Sequence, residues 1–309
     1  MPSGFDTTLL AATADRRRCT GESHQALAAL HRAGADVRTV PAPADPEQAD
    51  LEAAVFLRVC RIGIRSADPL GIRSVHPEPH RLAVRLTPQP YVVRLWAEAL
   101  LSARRPDHPG PHADPRDHVV GIPGLRWHTI GHAVHLHRPR TNTLLSLGGF
   151  PTRWWPRAAA AVHRWRPEAY TGAHWHAAEQ AARAAQRTSA LHPTTLLSPL
   201  LRRVRATAGP GPVNATDAWD AIGGLRLEAL DGPPCPDLVR LLGDGPCGVG
   251  WQARIDWCGC PGGTVGSNCS VDFRDPGDGR VVYYSNRRVR RSAQDLQALA
   301  DNNEGAFTA

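Results

Sequence analysis

Glycine and proline interrupt this chain so often that only short helices and strands can be drawn along it. Together they make up 28 plus 28 of the 309 residues. Proline removes a backbone donor and fixes φ, and glycine weakens any helix or strand interior. The fold must therefore be assembled from brief elements joined by many loops. The patterns between those breaks predict an α+β fold, with antiparallel sheets and packed helices in two to three domains.

In the first third, Thr20 is positioned to cap a helix over Glu22 to Ala33 that Gly34 stops. Asp45-Pro46-Glu47 places an N-cap, a first-turn proline and an acid in sequence, and Leu51, Val55, Val59 and Ile62 follow at helical spacing. The connector from Gly34 to Ala44 is too long for a helix-turn-helix. Leu82, Val84 and Leu86 alternate with Arg81 and Arg85 as a strand, and a helix is expected from Pro90 to Ala103.

Residues 105–117 are rich in proline and histidine and mark a domain boundary, as does the run from Gly209 to Thr216. The expected units are therefore 1–104, 118–208 and 217–309. The central unit predicts strands at 125–130, 133–137 and 142–147, then helices at 152–165 and 174–187. An apolar stretch from Thr194 to Val204 follows, broken by Pro199. The last unit predicts strands at 251–257, 268–274 and 280–285, with a turn at 275–279 and a final helix from Ser292 to about Ala300.

Charge is distributed unevenly over these units. From Gly121 to Gly209 there are 12 Arg against only Glu168 and Glu179, together with five of the nine Trp and eight of the fifteen His. Residues 1–120 are nearly balanced, and residues 210–309 are net acidic. Guanidinium groups interleaved with aromatic faces suit a polyanion with stackable bases. The expected surface comprises Arg138, Arg140, Arg153, Trp154, Trp155, Arg157, Arg164, Arg166, Arg202, Arg203 and Arg205. Arg153, Arg157 and Arg164 recur on one helical face, and one of Trp154 and Trp155 is expected to pack while the other is available to stack.

Two clusters could hold metal. His135 and His137 would share one face of a strand, with His128 and His132 nearby, but Arg138 and Arg140 follow where a carboxylate ligand would be needed. Cys247, Cys258, Cys260 and Cys269 could close a tetrahedral site, with Pro261 to Ser267 wrapping the ion. Their spacing departs from the usual two-residue gap. Ile255, Val271, Phe273, Val281 and Tyr283 supply apolar faces that could pack without a metal. The sequence therefore predicts unliganded thiols and no cofactor.

Other features exclude chemistry. The chain contains no Lys, which rules out a P-loop lysine and a pyridoxal Schiff base. Gly243 to Gly248 matches the dinucleotide fingerprint in letters only, because it follows a helix and precedes a strand. His174 to Glu179 and Pro234-Cys235 both lack the remaining residues of a zinc deaminase. The only short apolar run near the N-terminus precedes Arg16-Arg17-Arg18, the reverse of a secretory signal, and no apolar stretch approaches ~18 residues. With an odd, uneven set of seven Cys, the expectation is a cytoplasmic protein with no membrane segment.

The leading functional expectation is a nucleic-acid-binding protein, DNA ahead of RNA, with no catalytic centre. Two alternatives stand beside it. One is an enzyme acting on nucleotides or nucleic acid through His128, His132, His135, His137 or Glu179. The other is a protein-interaction scaffold, with a protein partner or self-association, in which acidic residues of the last third neutralise the basic centre.

Overall fold

The computed structural model describes residues 7–104, 114–166, 168–188, 194–209, 214–221, 224–230, 232–260, 268–277, 279 and 281–287. Helix α1 (Thr7–Thr20) leads into α2 (His24–Arg32). The cap of α2 is Ser23, whose hydroxyl accepts the Ala26 N–H, rather than the expected Thr20. Thr20 closes α1 instead, its hydroxyl donating to the Arg16 carbonyl at 2.8 Å. Between them Gly21 adopts φ +72°, and a Cβ there would lie 2.5 Å from the Arg73 carbonyl oxygen. Helix α3 (Pro46–Cys60) starts as the sequence predicts, with the Asp45 carboxylate accepting the Glu47 N–H.

Strands β1 (Arg65–Ser66), β2 (Ile72–Glu78) and β3 (Arg81–Leu86) precede α4 (Pro90–Leu100). A two-strand hairpin of β4 (Ala103–Arg104) and β5 (Val119–Val120) leads to β6 (Arg126–Ile130), β7 (Ala133–His137) and β8 (Leu145–Gly148). Helices α5 (Trp154–Trp165), α6 (Ala177–Thr188) and α7 (Thr194–Arg202) follow. Helix α7 continues through Pro199, where the sequence predicts a break. Leu196, Leu197, Leu200 and Leu201 around it are all buried, so packing outweighs the lost hydrogen bond. The last third adds β9 (Asn214–Ala221), β10 (Gly224–Leu230), α8 (Cys235–Leu242), β11 (Gln252–Cys258), β12 (Asn268–Arg274) and β13 (Val281–Arg287). The helix expected from Ser292 lies outside the described residues.

The fold is α+β, as expected, but each large sheet is mixed. The first has order β2-β3-β8-β7-β6 with a parallel β3–β8 pair, and the second has order β1-β9-β10-β13-β12-β11 with a parallel β10–β13 pair. The first sheet joins strands from either side of residues 105–117, and in the second β1 pairs with β9. A single contiguous core cluster includes Val55, Trp96, Trp155, Leu201, Leu227 and Phe273. Among the described residues, no helix is long and apolar enough to cross a membrane.

Within the first sheet, Leu82, Val84, Val134, Leu136, Leu145 and Leu147 are buried while their neighbours along each strand are not. Trp127, the register partner of Leu136, meets Trp155 of α5 edge to face at 6.5 Å. Helix α5 therefore lies on the buried side of the sheet. His128 and its partner His135 point to the other side.

Candidate nucleic-acid interface and a cysteine cluster

The basic excess of residues 121–209 is consumed largely inside the fold. Six of its twelve Arg make ion pairs: Arg126, Arg138, Arg183, Arg187, Arg202 and Arg205. Four of these six reach carboxylates of α3. Arg138 pairs with Asp50, Arg183 and Arg187 with Glu47, and Arg202 with Glu52. Arg205 pairs with Asp68 at 2.6 Å. Two further Arg serve backbone carbonyls: Arg166 donates to Glu98 O, and Arg203 to Cys247 O, Val40 O and Gly248 O. Burial lowers the pKa of Arg203 to about 10.

These placements correct the expected surface. Arg138, Arg202, Arg203 and Trp155 are buried and cannot touch a nucleic acid. Arg166 and Arg205 are half-buried and already committed. Trp154 packs half-buried against the core, so neither member of that pair is an open stacking face. Five of the six paired arginines take carboxylates of the first third, and Arg126 takes Glu179 of the centre itself; among the described residues none takes one from the acidic last third that the scaffold reading invoked.

Arg140, Arg153, Arg157 and Arg164 remain, all exposed, and among the described residues no ion pair involves them. Arg153, Arg157, Ala161 and Trp165 follow one another at intervals of four, a row of about 18 Å along α5, with Arg164 beside it. Trp165 is 80% exposed, the most open large hydrophobic side chain among the described residues. In sequence alone Trp165 falls in line with Ala158, Ala161 and Val162, a spacing at which an indole reads as core.

The histidines form a separate group on the opposite side of the sheet. The His128 ring stacks on His135 at 5.4 Å and meets His137 edge-on at 5.0 Å, while His132 sits exposed in the β6–β7 turn. His135 Nδ1 lies 3.0 Å from Ser146 Oγ. Burial and the neighbouring His128 hold His135 and His137 below the usual imidazole value. Among the described residues, their ring nitrogens do not converge with a third ligand as the cysteines do. Glu179 is not available as a general acid or base. It accepts from the two terminal nitrogens of the Arg126 guanidinium (3.0 and 2.7 Å), from Gly124 N–H and from Ser102 Oγ.

One further arrangement has the order of a hydrolase triad. Ser74 Oγ lies 3.4 Å from His76 Nε2, and His76 Nδ1 lies 3.4 Å from Glu22 Oε1. Glu22 is already held by Arg16 and Thr20, and Ser74 is buried at 5% exposed, so the trio lacks the open hydroxyl and uncommitted carboxylate of a nucleophilic site.

The cysteine set also changes. Cys258, Cys260 and Cys269, three of the four candidate ligands, do come together, but the fourth member is Cys235 and not Cys247. Cys247 is turned away, its Sγ donating to the Arg38 carbonyl at 3.1 Å. Burial pushes the Cys235 thiol up. Burial would do the same at Cys260, but bonds from the Cys269 thiol and the Cys235 backbone and thiol stabilise its thiolate and lower its pKa to about 7. The segment from Pro261 to Ser267 lies outside the described residues. Comparison of the chain with models of protein families, with curated proteins and with solved structures finds no match.

Proposed function

We propose that this protein binds nucleic acid, DNA ahead of RNA, through the outer face of α5 and without a catalytic centre. The observation that carries the reading is the row of Arg153, Arg157 and Trp165, flanked by Arg164, with no carboxylate paired to any of them among the described residues. Guanidinium groups about 6 Å apart along a helix suit successive phosphates, and a largely open indole at the end of the row offers a face to a base. A solvated helix with no such role would normally mix both signs of charge.

The test is fluorescence anisotropy with single-stranded DNA, duplex DNA and RNA over a series of salt concentrations. Replacing Arg153, Arg157 and Arg164 together by Ala should weaken binding and reduce the slope of log K against log salt by about 2–3, since each neutralised phosphate contributes ~0.7–0.9. An unchanged slope in a folded triple variant, or no binding by the native chain, would reject this surface.

A further inference from the structure

The four-cysteine cluster ties three elements that the chain brings together from a distance. Cys235 is the first residue of α8, Cys258 ends β11, Cys260 follows two residues later, and Cys269 lies in β12. Cys258 and Cys269 are direct cross-strand partners. All four sulfurs lie within 4.8 Å of one another, with individual approaches of 3.2 Å (Cys235–Cys258), 3.4 Å (Cys235–Cys260) and 3.0 Å (Cys260–Cys269).

Those separations decide between chemistries. A disulfide would hold its sulfurs ~2.05 Å apart and would leave the other two as ordinary thiols. A tetrahedral ion with ~2.3 Å bonds to sulfur holds its ligands about 3.8 Å apart, within the span this quartet already occupies. Thiols are only weak donors and acceptors, so four of them converging on one point gain little from their mutual contacts without such an ion.

The surrounding backbone is also arranged for thiolates. The Cys260 N–H points to Cys258 Sγ at 3.4 Å, and the Cys235 N–H points to Cys260 Sγ at 3.4 Å. Amide donors aimed at sulfur offset the negative charge of a metal–thiolate centre and orient its ligands. Cys235 and Cys269 are buried and the other two half-buried. With four protein ligands, no coordination position is left for a substrate, which is the arrangement of a structural site.

Strand β11 gives the cluster a purpose. It is the edge strand of its sheet, and every residue from Gln252 to Trp257 is exposed. Ile255 is 43% exposed and Trp257 55% exposed. The apolar packing that the sequence assigns to this strand is therefore absent. Its ladder to β12 is irregular between Ile255 and Trp257, next to the cluster. Backbone pairing to one neighbour, with almost no side-chain burial, is a weak attachment for an edge.

We propose that Cys235, Cys258, Cys260 and Cys269 bind one zinc ion as a closed structural centre that fastens β11 and the start of α8 to β12. On binding, the four thiols give up their protons to solvent and the ion is held as a tetrathiolate. The tetrathiolate donor set and tetrahedral span favour zinc, and exclude calcium and magnesium, which take oxygen ligands.

The experiment uses the full chain, purified without a metal-binding tag. Elemental analysis should find one zinc per chain. That zinc should be lost from Cys235→Ser and from Cys258→Ser but kept by Cys247→Ser, whose thiol lies outside the site. Cobalt loaded in place of zinc should give the intense thiolate charge-transfer bands of a tetrahedral centre. Should the serine variants fail to fold, hydrogen exchange on native protein stripped by a strong chelator still decides. Gln252–Cys258 should then exchange faster while β9 and β10 keep their protection. A folded protein with no stoichiometric zinc, or with iron in its place, would overturn the proposal. So would an intact mass two or four daltons low with the thiols unreactive, the mark of disulfides. Retention of zinc by Cys235→Ser would overturn the ligand set.

Discussion

Arg202 and Glu52 face each other in the interior with neither side chain exposed, the guanidinium Nε and Nη2 donating to the two carboxylate oxygens at 2.8 and 2.7 Å. Their neighbours complete the network. Ser198 and Gln48 donate to the same carboxylate, and Arg202 Nη1 donates to the carbonyls of Pro41 and Glu78. The pair fastens α7 to α3, and removing either partner leaves an uncompensated buried charge. Glu52→Gln and Arg202→Ala should each lose about 3–5 kcal/mol in urea unfolding. The double variant should lose less than the sum, because both singles remove the same contact. Additive losses would show that the two groups do not stabilise the fold as a pair.

Glu179 carries a pH-dependent share of stability. Burial works against its charge, but Arg126, the Gly124 N–H and Ser102 together lower its pKa below the ordinary 4.5. A depressed carboxylate contributes fully above that ordinary value, and the contribution fades as pH falls below it through the folded-state value. Glu179→Gln should therefore be much less stable than the native chain at pH 7, with the gap narrowing toward pH 3. Chemical denaturation across that range measures it. A gap independent of pH would mean that Glu179 acts by shape and neutral hydrogen bonds alone.

What was legible in the sequence was mostly local. Asp45-Pro46-Glu47 starts α3 as its cap chemistry requires, and the alternation at Arg81–Leu86 is a strand with the expected inner face. The sign of a charge is legible too, but its partner is not. Nothing near Arg202 in the chain reveals a carboxylate 150 positions away, so buried ion-paired arginines read as a basic surface. Cys235 was missed for the same reason. It lies 23 residues before Cys258, whereas Cys247 is closer in sequence but held elsewhere by the Arg38 carbonyl. Tyr283 and Tyr284 were exchanged because Val281, Val282 and Tyr284 are the buried positions, so strict alternation fails at the start of β13.

Trp165 and Trp155 lie on the same helix and should respond in opposite ways. Trp155 is fully buried against the core, and truncating it to Ala should destabilise the protein by about 3–5 kcal/mol. Trp165 is 80% exposed, so its removal should change stability by no more than about 0.5 kcal/mol. Its value, if α5 contacts nucleic acid, lies in stacking, which is worth ~1–3 kcal/mol per base. Trp165→Ala should then weaken single-stranded DNA binding about 5- to 150-fold, with the melting temperature unmoved. Duplex DNA, whose bases are already stacked, should lose much less. The salt slope should also stay as in the native chain, because an indole neutralises no phosphate. Equal losses on both ligands, or none on either, would remove the indole from the interface and leave the arginine row to account for binding alone.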